Sequence, residues 1–271
     1  MRMIPWAHAT KDELKNVKGV CLDIDETLST RGKLTAEAFS ALWKLKDSGF
    51  VVVPVTGRPA GWCDHIARFW PVDAVVGENG AFTLFMEAGK LKRINTPGAP
   101  NDHQARLKKL GAKIQKKFKD AKWASDQAYR EFDLAIDVCE DVKPWPKNKV
   151  QELIALCEDA GAHVKLSSIH VNTWFGNYDK AGGLKHWLVK KGGPGLNGHV
   201  PTWDELLFIG DSPNDEPLFA SFQHSVGVAN LAEFSSSLKH PPRWITSKES
   251  GAGFAEMVTR LVDVRFPSQL K

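Results

Sequence analysis

Val17 to Ile24 is a short run of β-branched and apolar residues that ends in acids, and its surroundings repeat the same rhythm. A run this short and this apolar reads as a buried strand. Thr35 to Asp47 places Ala38, Leu42 and Leu45 on one helical stripe, and Gly49 is a natural stop. Phe50 to Val55 reads as a second buried strand, Trp62 to Trp70 as a helix, and Ala74 to Val76 as a third strand. Strand, helix, strand in this order requires parallel strands joined by right-handed crossovers.

The rhythm breaks after Gly80. From Ala81 to about Trp174 there are alternating runs at Phe82 to Met86 and Leu134 to Val138, helical stretches over 101–120 and 148–160, and a strand candidate at Ser168 to Trp174. Pro97 to Pro100 and Pro144 to Pro146 punctuate it as loops. Alternation then resumes, with helices at Lys180 to Lys190, Pro217 to Phe222 and Gly253 to Val262. Strands fall at Glu205 to Ile209, Ser225 to Val228 and Trp244 to Thr246, and Gly192 to Gly198 reads as a plain loop. The expected fold is α/β: a Rossmann-like, doubly wound parallel sheet interrupted by an inserted α+β unit. The core takes residues 1–81 and 176–271, and the insert takes 82–175. A chain of 271 residues has room for both.

In a doubly wound sheet, ligands bind outside the carboxyl ends of the strands. After the first strand comes Asp23-Ile24-Asp25-Glu26-Thr27, after the second Thr56-Gly57-Arg58, and after the late strand Gly210-Asp211-Ser212-Pro213-Asn214-Asp215. So many carboxylates on one sheet edge repel each other unless a cation sits among them. Hard oxygen donors with no His or Cys cluster nearby select Mg²⁺ over zinc. Taken singly, Asp211 also reads as a helix N-cap.

These segments resemble the motifs of the haloacid dehalogenase superfamily. Asp23 to Thr27 resembles the DxDxT phosphatase form of its first motif, Thr56 its second, Lys180 in Tyr178-Asp179-Lys180 its third, and Gly210 to Asp215 its fourth. Gly77-Glu78-Asn79-Gly80-Ala81 resembles the lead-in to the cap of the sugar-phosphatase subclass called two-B, which includes sucrose-, trehalose- and mannosyl-phosphoglycerate phosphatases. Val226 to Asn230 and Thr246 to Gly251 resemble the same subclass. One departure is Glu26, where the family often has glycine.

The resemblance implies Asp23 as the nucleophile that forms an aspartyl-phosphate, and Asp25 as the group that protonates the leaving oxygen and then deprotonates water. It implies Mg²⁺ held by Asp23, the backbone carbonyl of Asp25, Asp211 and Asp215, with Asn214 orienting from behind. Thr56 would donate to the phosphate, Lys180 would neutralise Asp23 and a phosphate oxygen, and Gly57 and Arg58 would flank the phosphate. Taken alone, Lys180 also reads as a solvated lysine at a helix start and Arg58 as a surface residue. Substrate choice falls to the insert, acting as a lid. Its candidates are Arg130 and the alternating face of His170, Asn172 and Trp174, for which a solvent-facing strand side is the plain alternative.

The expected activity is hydrolysis of a small, sugar-like phosphate ester. A sugar phosphomutase or a non-catalytic regulatory protein on the same scaffold remain alternatives. The net charge of +4 spreads over 36 basic and 32 acidic residues, which demands no nucleic-acid partner. The basic stretch from Arg106 to Lys122 carries Leu107, Leu110, Ile114 and Phe118 at helical spacing, so it reads as an amphipathic helix with a solvated face, or as a positive rim that steers an anionic substrate. No apolar run approaches about 18 residues, so no membrane span is expected. Four scattered cysteines suit a reducing compartment, hence the cytoplasm. A homodimer stays open.

Overall fold

The computed structural model describes residues 3–167, 169–190, 193, 195, 196, 198 and 200–266. The first half of the core runs β1 (Ile4–Pro5), α1 (Lys11–Leu14), β2 (Gly19–Leu22), α2 (Ala36–Asp47), β3 (Val51–Pro54), α3 (Ala60–Phe69) and β4 (Ala74–Gly77). A hairpin follows, β5 (Phe82–Glu87) and β6 (Lys90–Asn95), then α4 (His103–Lys117), β7 (Lys122–Trp123), β8 (Asp133–Asp137), α5 (Lys147–Asp159), β9 (His163–Leu166) and β10 (His170–Trp174). The core closes with α6 (Lys180–Val189), β11 (Leu206–Gly210), α7 (Glu216–Ser221), β12 (His224–Gly227), β13 (Trp244–Ile245) and α8 (Ser250–Arg265).

Six strands pair in parallel in the order β1-β13-β12-β11-β2-β3. Alternation along them sends Val20, Leu22 and Val52 to one face, against α1, α2 and α8. Cys21, Val51 and Val53 go to the other, against α6 and α7. Both faces are covered, so each central strand is apolar throughout, which is why such short runs are legible. The chain crosses from β2 to β3 on one side and returns to β11 on the other, so the loops after β2, β3 and β11 meet at one edge.

The insert's expected boundary at residue 82 differs from the packing. β4 joins β3 through a parallel bridge from Val55 to Val76, and β5 and β6 pair antiparallel onto β4. Phe82 and Leu84 pack with Ala60, Cys63, Ile66 and Val75, and Phe85 joins the core beside Val53 and Leu184. We therefore place the separate unit at about 96–175. The strand Lys90–Asn95 is absent from the sequence reading because its two apolar residues, Leu91 and Ile94, fall on opposite faces among Lys and Arg, so no alternation shows. Within the insert, α4 and α5 cover one face of an antiparallel sheet ordered β7-β8-β10-β9. Leu107, Leu110, Ile114 and Phe118 are buried there, so the basic stretch is an amphipathic helix with its lysines outward. Ser168, the expected start of the last insert strand, lies outside the described residues, as do 192, 194 and 197 of the expected glycine-rich loop. No helix among the described residues is long and apolar enough to cross a membrane.

Candidate active site

Gly80 is where the core turns toward the insert, and a close approach requires it. Its φ is +105°, and a Cβ there would lie 1.9 Å from the carbonyl oxygen of Asp179. Asp179 caps α6, accepting from Gly182 N at 2.6 Å, and so places Lys180 as the first residue of that helix. From there the Lys180 ammonium donates to Asp23 Oδ1 at 2.7 Å and to Asp215 Oδ1 at 2.9 Å. Asp23, Asp211 and Asp215 bring ligand oxygens within 4.8 Å of one another. Thr27 donates its hydroxyl to Asp211 Oδ1 at 3.2 Å, and Asp211 N donates to Asp215 Oδ2 at 3.2 Å.

Burial pushes the Asp23 carboxyl up to about 7, opposed by Lys180 and reinforced by Asp215 and Asp25. Burial likewise drives Asp211 up, to about 9, with Asp215 and Asp23 adding to it. Burial works against the Lys180 charge, but Asp215 and Asp23 outweigh it and hold the ammonium well above its usual range. One lysine thus faces three clustered carboxylates, two of which resist ionisation. A divalent cation fits this donor set: hard oxygens, an excess of negative charge, and no nitrogen or sulfur donor in the cluster.

A pH prediction follows from these shifts. Asp23 and Asp211 hold protons more tightly folded than unfolded, as does Glu78, which burial and Asp133 push up to about 7. Their contribution to stability is fully present below the unfolded carboxyl values and is lost as pH rises through about 7 and then about 9. In EDTA the melting temperature is expected to fall from pH 5 to pH 9, and Mg²⁺ should recover most at the alkaline end. A melting temperature that rises with pH in EDTA would contradict the assignment.

The loop after β2 solves a steric problem. Glu26 has φ +53°, the left-handed region that glycine adopts without cost, which accounts for the glycine often found at this position in the family it resembles. The glutamate is braced instead: Oε1 accepts from Gly32 N at 3.2 Å and Oε2 from Ser250 Oγ at 3.3 Å. The Asn230 side chain donates to the Glu26 carbonyl at 3.2 Å and accepts from Ser250 N at 3.0 Å. Glu26, Asn230 and Ser250 therefore hold the loop after β2 together.

Thr56 is fully buried, and its Oγ accepts from Arg58 N at 3.1 Å, which leaves its hydroxyl hydrogen free to donate. The Asp25 side chain points away from the acidic cluster and is gripped by Arg58, with Nε at 3.1 and 3.0 Å from its two oxygens and Nη2 at 2.5 Å from Oδ1. Arg58 is thus no surface residue. Asn214 sits in the turn Pro213–Asp215 and, with Gly57, lines the same cavity as the acids.

That cavity, about 550 Å³, lies between the acidic edge and the insert. His170, Asn172 and Trp174 all face it and are buried, so this strand side is not solvent-facing. His170 Nε2 lies 2.9 Å from Glu140 Oε2. The Asn172 amide donates to Asp133 Oδ2 at 3.2 Å. Arg130, expected as a substrate ligand, lines the cavity and is itself held by the protein. Its Nε and Nη2 donate to Asp126 at 3.0 and 3.1 Å, and Nη1 to Asp133 at 2.9 and 3.1 Å and to the Gly57 carbonyl at 3.1 Å. All three of its guanidinium nitrogens donate to protein oxygens, and through them it joins insert to core.

The sequence reading missed Glu78, Asp126 and Asp133. Glu78 is fully buried, and its carboxylate accepts from the backbone N–H groups of Ala60, Glu131, Phe132 and Asp133. A charged residue inside an otherwise apolar and glycine-rich stretch was the available signal.

Residues 20–129, from β2 into the insert, match the family of haloacid dehalogenase-like hydrolases. Over that segment, which takes in Asp23, Asp25, Thr56 and Arg58, the chain is similar to this family. A phosphoglycolate phosphatase of Aeropyrum pernix is 24% identical over 253 residues, covering 91% of this chain and 94% of its own. Among solved structures, Thermoplasma acidophilum 0175 superposes with a TM-score of 0.69 at 16% identity, covering 90% of this chain and 98% of that one. The sucrose-phosphatase of Synechocystis sp. PCC6803, solved with sucrose and phosphate, superposes at 0.61 and 16% identity, with 90% and 98% covered. These two share the fold of this chain, core and insert together.

Proposed function

We propose that this protein is a haloacid dehalogenase-like, Mg²⁺-dependent phosphomonoesterase that works through a phosphoryl group on Asp23 and takes a small ester with an uncharged, sugar-like leaving group. What carries the proposal is Asp23, buried beside Lys180 and two further acids on the wall of the cavity between core and insert. An Asp23 oxygen attacks phosphorus while the ester oxygen leaves with its electron pair and takes a proton from Asp25. Water then attacks phosphorus, Asp25 takes its proton, and Asp23 is released as a carboxylate. Lys180 and the Thr56 hydroxyl hold the phosphoryl oxygens. Asp23, Asp211, Asp215 and the Asp25 carbonyl would hold Mg²⁺, which when bound draws the phosphate and the carboxylates together. Free cysteines, three of them buried, suit a reducing compartment such as the cytoplasm.

The leaving-group class follows from the cations around the cavity. Arg58 is paired with Asp25 and Asp126, Arg130 with Asp126 and Asp133, and Lys180 with Asp23 and Asp215. Among the described lining residues this leaves Lys165, exposed at the rim of β9. A second anionic group, such as the carboxylate of phosphoglycolate, would find no buried counter-charge. A polyol would meet His170, Asn172 and the Trp174 ring.

The test is release of inorganic phosphate from a panel of esters. Hexose and disaccharide phosphates are expected to exceed phosphoglycolate in kcat/KM by about tenfold or more, the worth of one unpaired buried charge. All activity should vanish in excess EDTA and return with Mg²⁺. Equal or better turnover of phosphoglycolate would overturn the leaving-group class, full activity in EDTA the metal requirement, and isomerised sugar phosphate without free phosphate would indicate a mutase.

A further inference from the structure

Charges of alternating sign run from the insert to the reacting edge: Asp133, Arg130, Asp126, Arg58, Asp25. Asp126 lies just before the turn Gln127–Tyr129, and Arg130 holds both of its carboxylate oxygens, at 3.0 and 3.1 Å. Arg130 is itself seated on Asp133 and on the Gly57 carbonyl. Asp126 is therefore fixed relative to the core only while the insert is docked. Its Oδ2 stands 3.7 Å from Arg58 Nη1, and the other edge of the same guanidinium grips Asp25. The Arg58 plane also lies over the Trp62 ring, 4.6 Å from its centre.

A guanidinium is a rigid fork, so whatever holds one edge sets the direction of the other. Asp126 and Trp62 together leave Arg58 one orientation, the one that presents its Nε edge to Asp25. With Asp126 withdrawn or uncharged, Arg58 keeps the ring, Asp25 and the weaker pull of Glu140, and the pair can swing on the ring face.

We infer that Asp126 is a positioning residue for proton transfer, which through Arg58 holds the Asp25 carboxylate where it receives the proton of the attacking water. This rests on the proposed role of Asp25. In that step the water oxygen bonds to phosphorus, and the phosphorus–oxygen bond to Asp23 breaks with its electron pair returning to Asp23. The water proton passes to Asp25. Seating of the insert and hydrolysis of the phosphoryl-enzyme are thereby tied together.

The experiment uses p-nitrophenyl phosphate with Mg²⁺, because p-nitrophenolate leaves without needing a proton. For this ester kcat/KM reports transfer to Asp23, while kcat includes the later hydrolysis. Asp126→Asn is expected to lower kcat by about tenfold and KM in step, leaving kcat/KM within about twofold. A rapid burst of one p-nitrophenolate per enzyme should precede the slower steady state. Asp126→Glu, which keeps the charge, is expected to recover most of kcat. Should Asp126→Asn not fold, as judged by circular dichroism, Arg58→Lys takes its place, since it keeps the charge without the fork and should show the same burst. An unchanged kcat, a kcat/KM that falls as far as kcat, or an Arg58→Lys enzyme without a burst would overturn the inference. A wild-type enzyme that releases no phosphate from any ester would instead defeat the proposed function, and the inference with it.

Discussion

Asp23→Asn is expected to reduce phosphate release by roughly 10⁴-fold or more, because in the proposed mechanism it removes the carboxylate to which the phosphoryl group transfers. The amide keeps the size of the side chain but has no charge and is a poor nucleophile. The fold should survive. Asp23 is buried and already pushed up to about 7, so its ionised form is a cost to the metal-free protein. The neutral amide relieves repulsion with Asp215 and Asp211, at the loss of one of the two Lys180 hydrogen bonds. In EDTA at pH 8 the variant should therefore melt at or above the wild-type temperature. Mg²⁺ should stabilise it less than wild type, because one ligand has lost its charge. Turnover near the wild-type rate, with deamidation excluded by mass spectrometry, would remove Asp23 from the nucleophile's role.

Lys180→Met carries the largest expected effect on stability. Lys180 is the one cation hydrogen-bonded within the acidic cluster among the described residues, and it bridges Asp23 and Asp215. Removing one partner from a buried ionic group costs roughly 3–5 kcal/mol, since the remaining charges stay buried without compensation. The loss is expected in EDTA near pH 8 and should shrink toward pH 5, where Asp23 and Asp211 escape the repulsion by taking up protons. Mg²⁺ should restore part of it by binding the folded state alone. Activity should fall about 10³-fold, as when a preorganised donor to a developing charge is deleted. An unchanged urea midpoint in EDTA would show that the lysine does not neutralise this cluster.

The two variants separate chemistry from charge balance at one site. Asp23→Asn removes the proposed nucleophile and is expected to leave the folded state at least as stable. Lys180→Met leaves that group in place and strips its counter-charge. Their stability responses to pH and Mg²⁺ should run in opposite directions, because one lowers the negative charge of the cluster and the other raises its net value.

Much of the core was legible before any coordinates. Val20, Cys21, Leu22 and Val51 to Val53 are apolar on both faces because helices cover both, so a bare run of such residues identifies a central strand without a partner in view. Asp23, Thr56 and Asp211 were legible for the same reason: each follows a strand end, and one sheet edge is where those ends must meet. The alternation of His170, Asn172 and Trp174 likewise placed them on one face.

The rest depended on which groups pair across long separations, and side-chain hydrogen bonding leaves no periodic trace in a sequence. Arg130 could be read as a free cation until Asp126, Asp133 and the Gly57 carbonyl were seen to use its donors. Arg58 read equally well as a surface residue until Asp25 and Asp126 were found on its two edges. Glu78 stood only within the segment resembling a cap lead-in, yet its carboxylate joins the backbones of core and insert. The hairpin from Phe82 to Asn95 went to the core because Val76 and Val55 bridge β4 to β3, a pairing that two unconnected segments of sequence cannot announce. Sequence alone determined where strands end and hence which acids gather there, since both follow from local pattern and connection rules. Only the tertiary structure decided which charges neutralise which, because that depends on distances of a few ångströms between residues far apart in the chain.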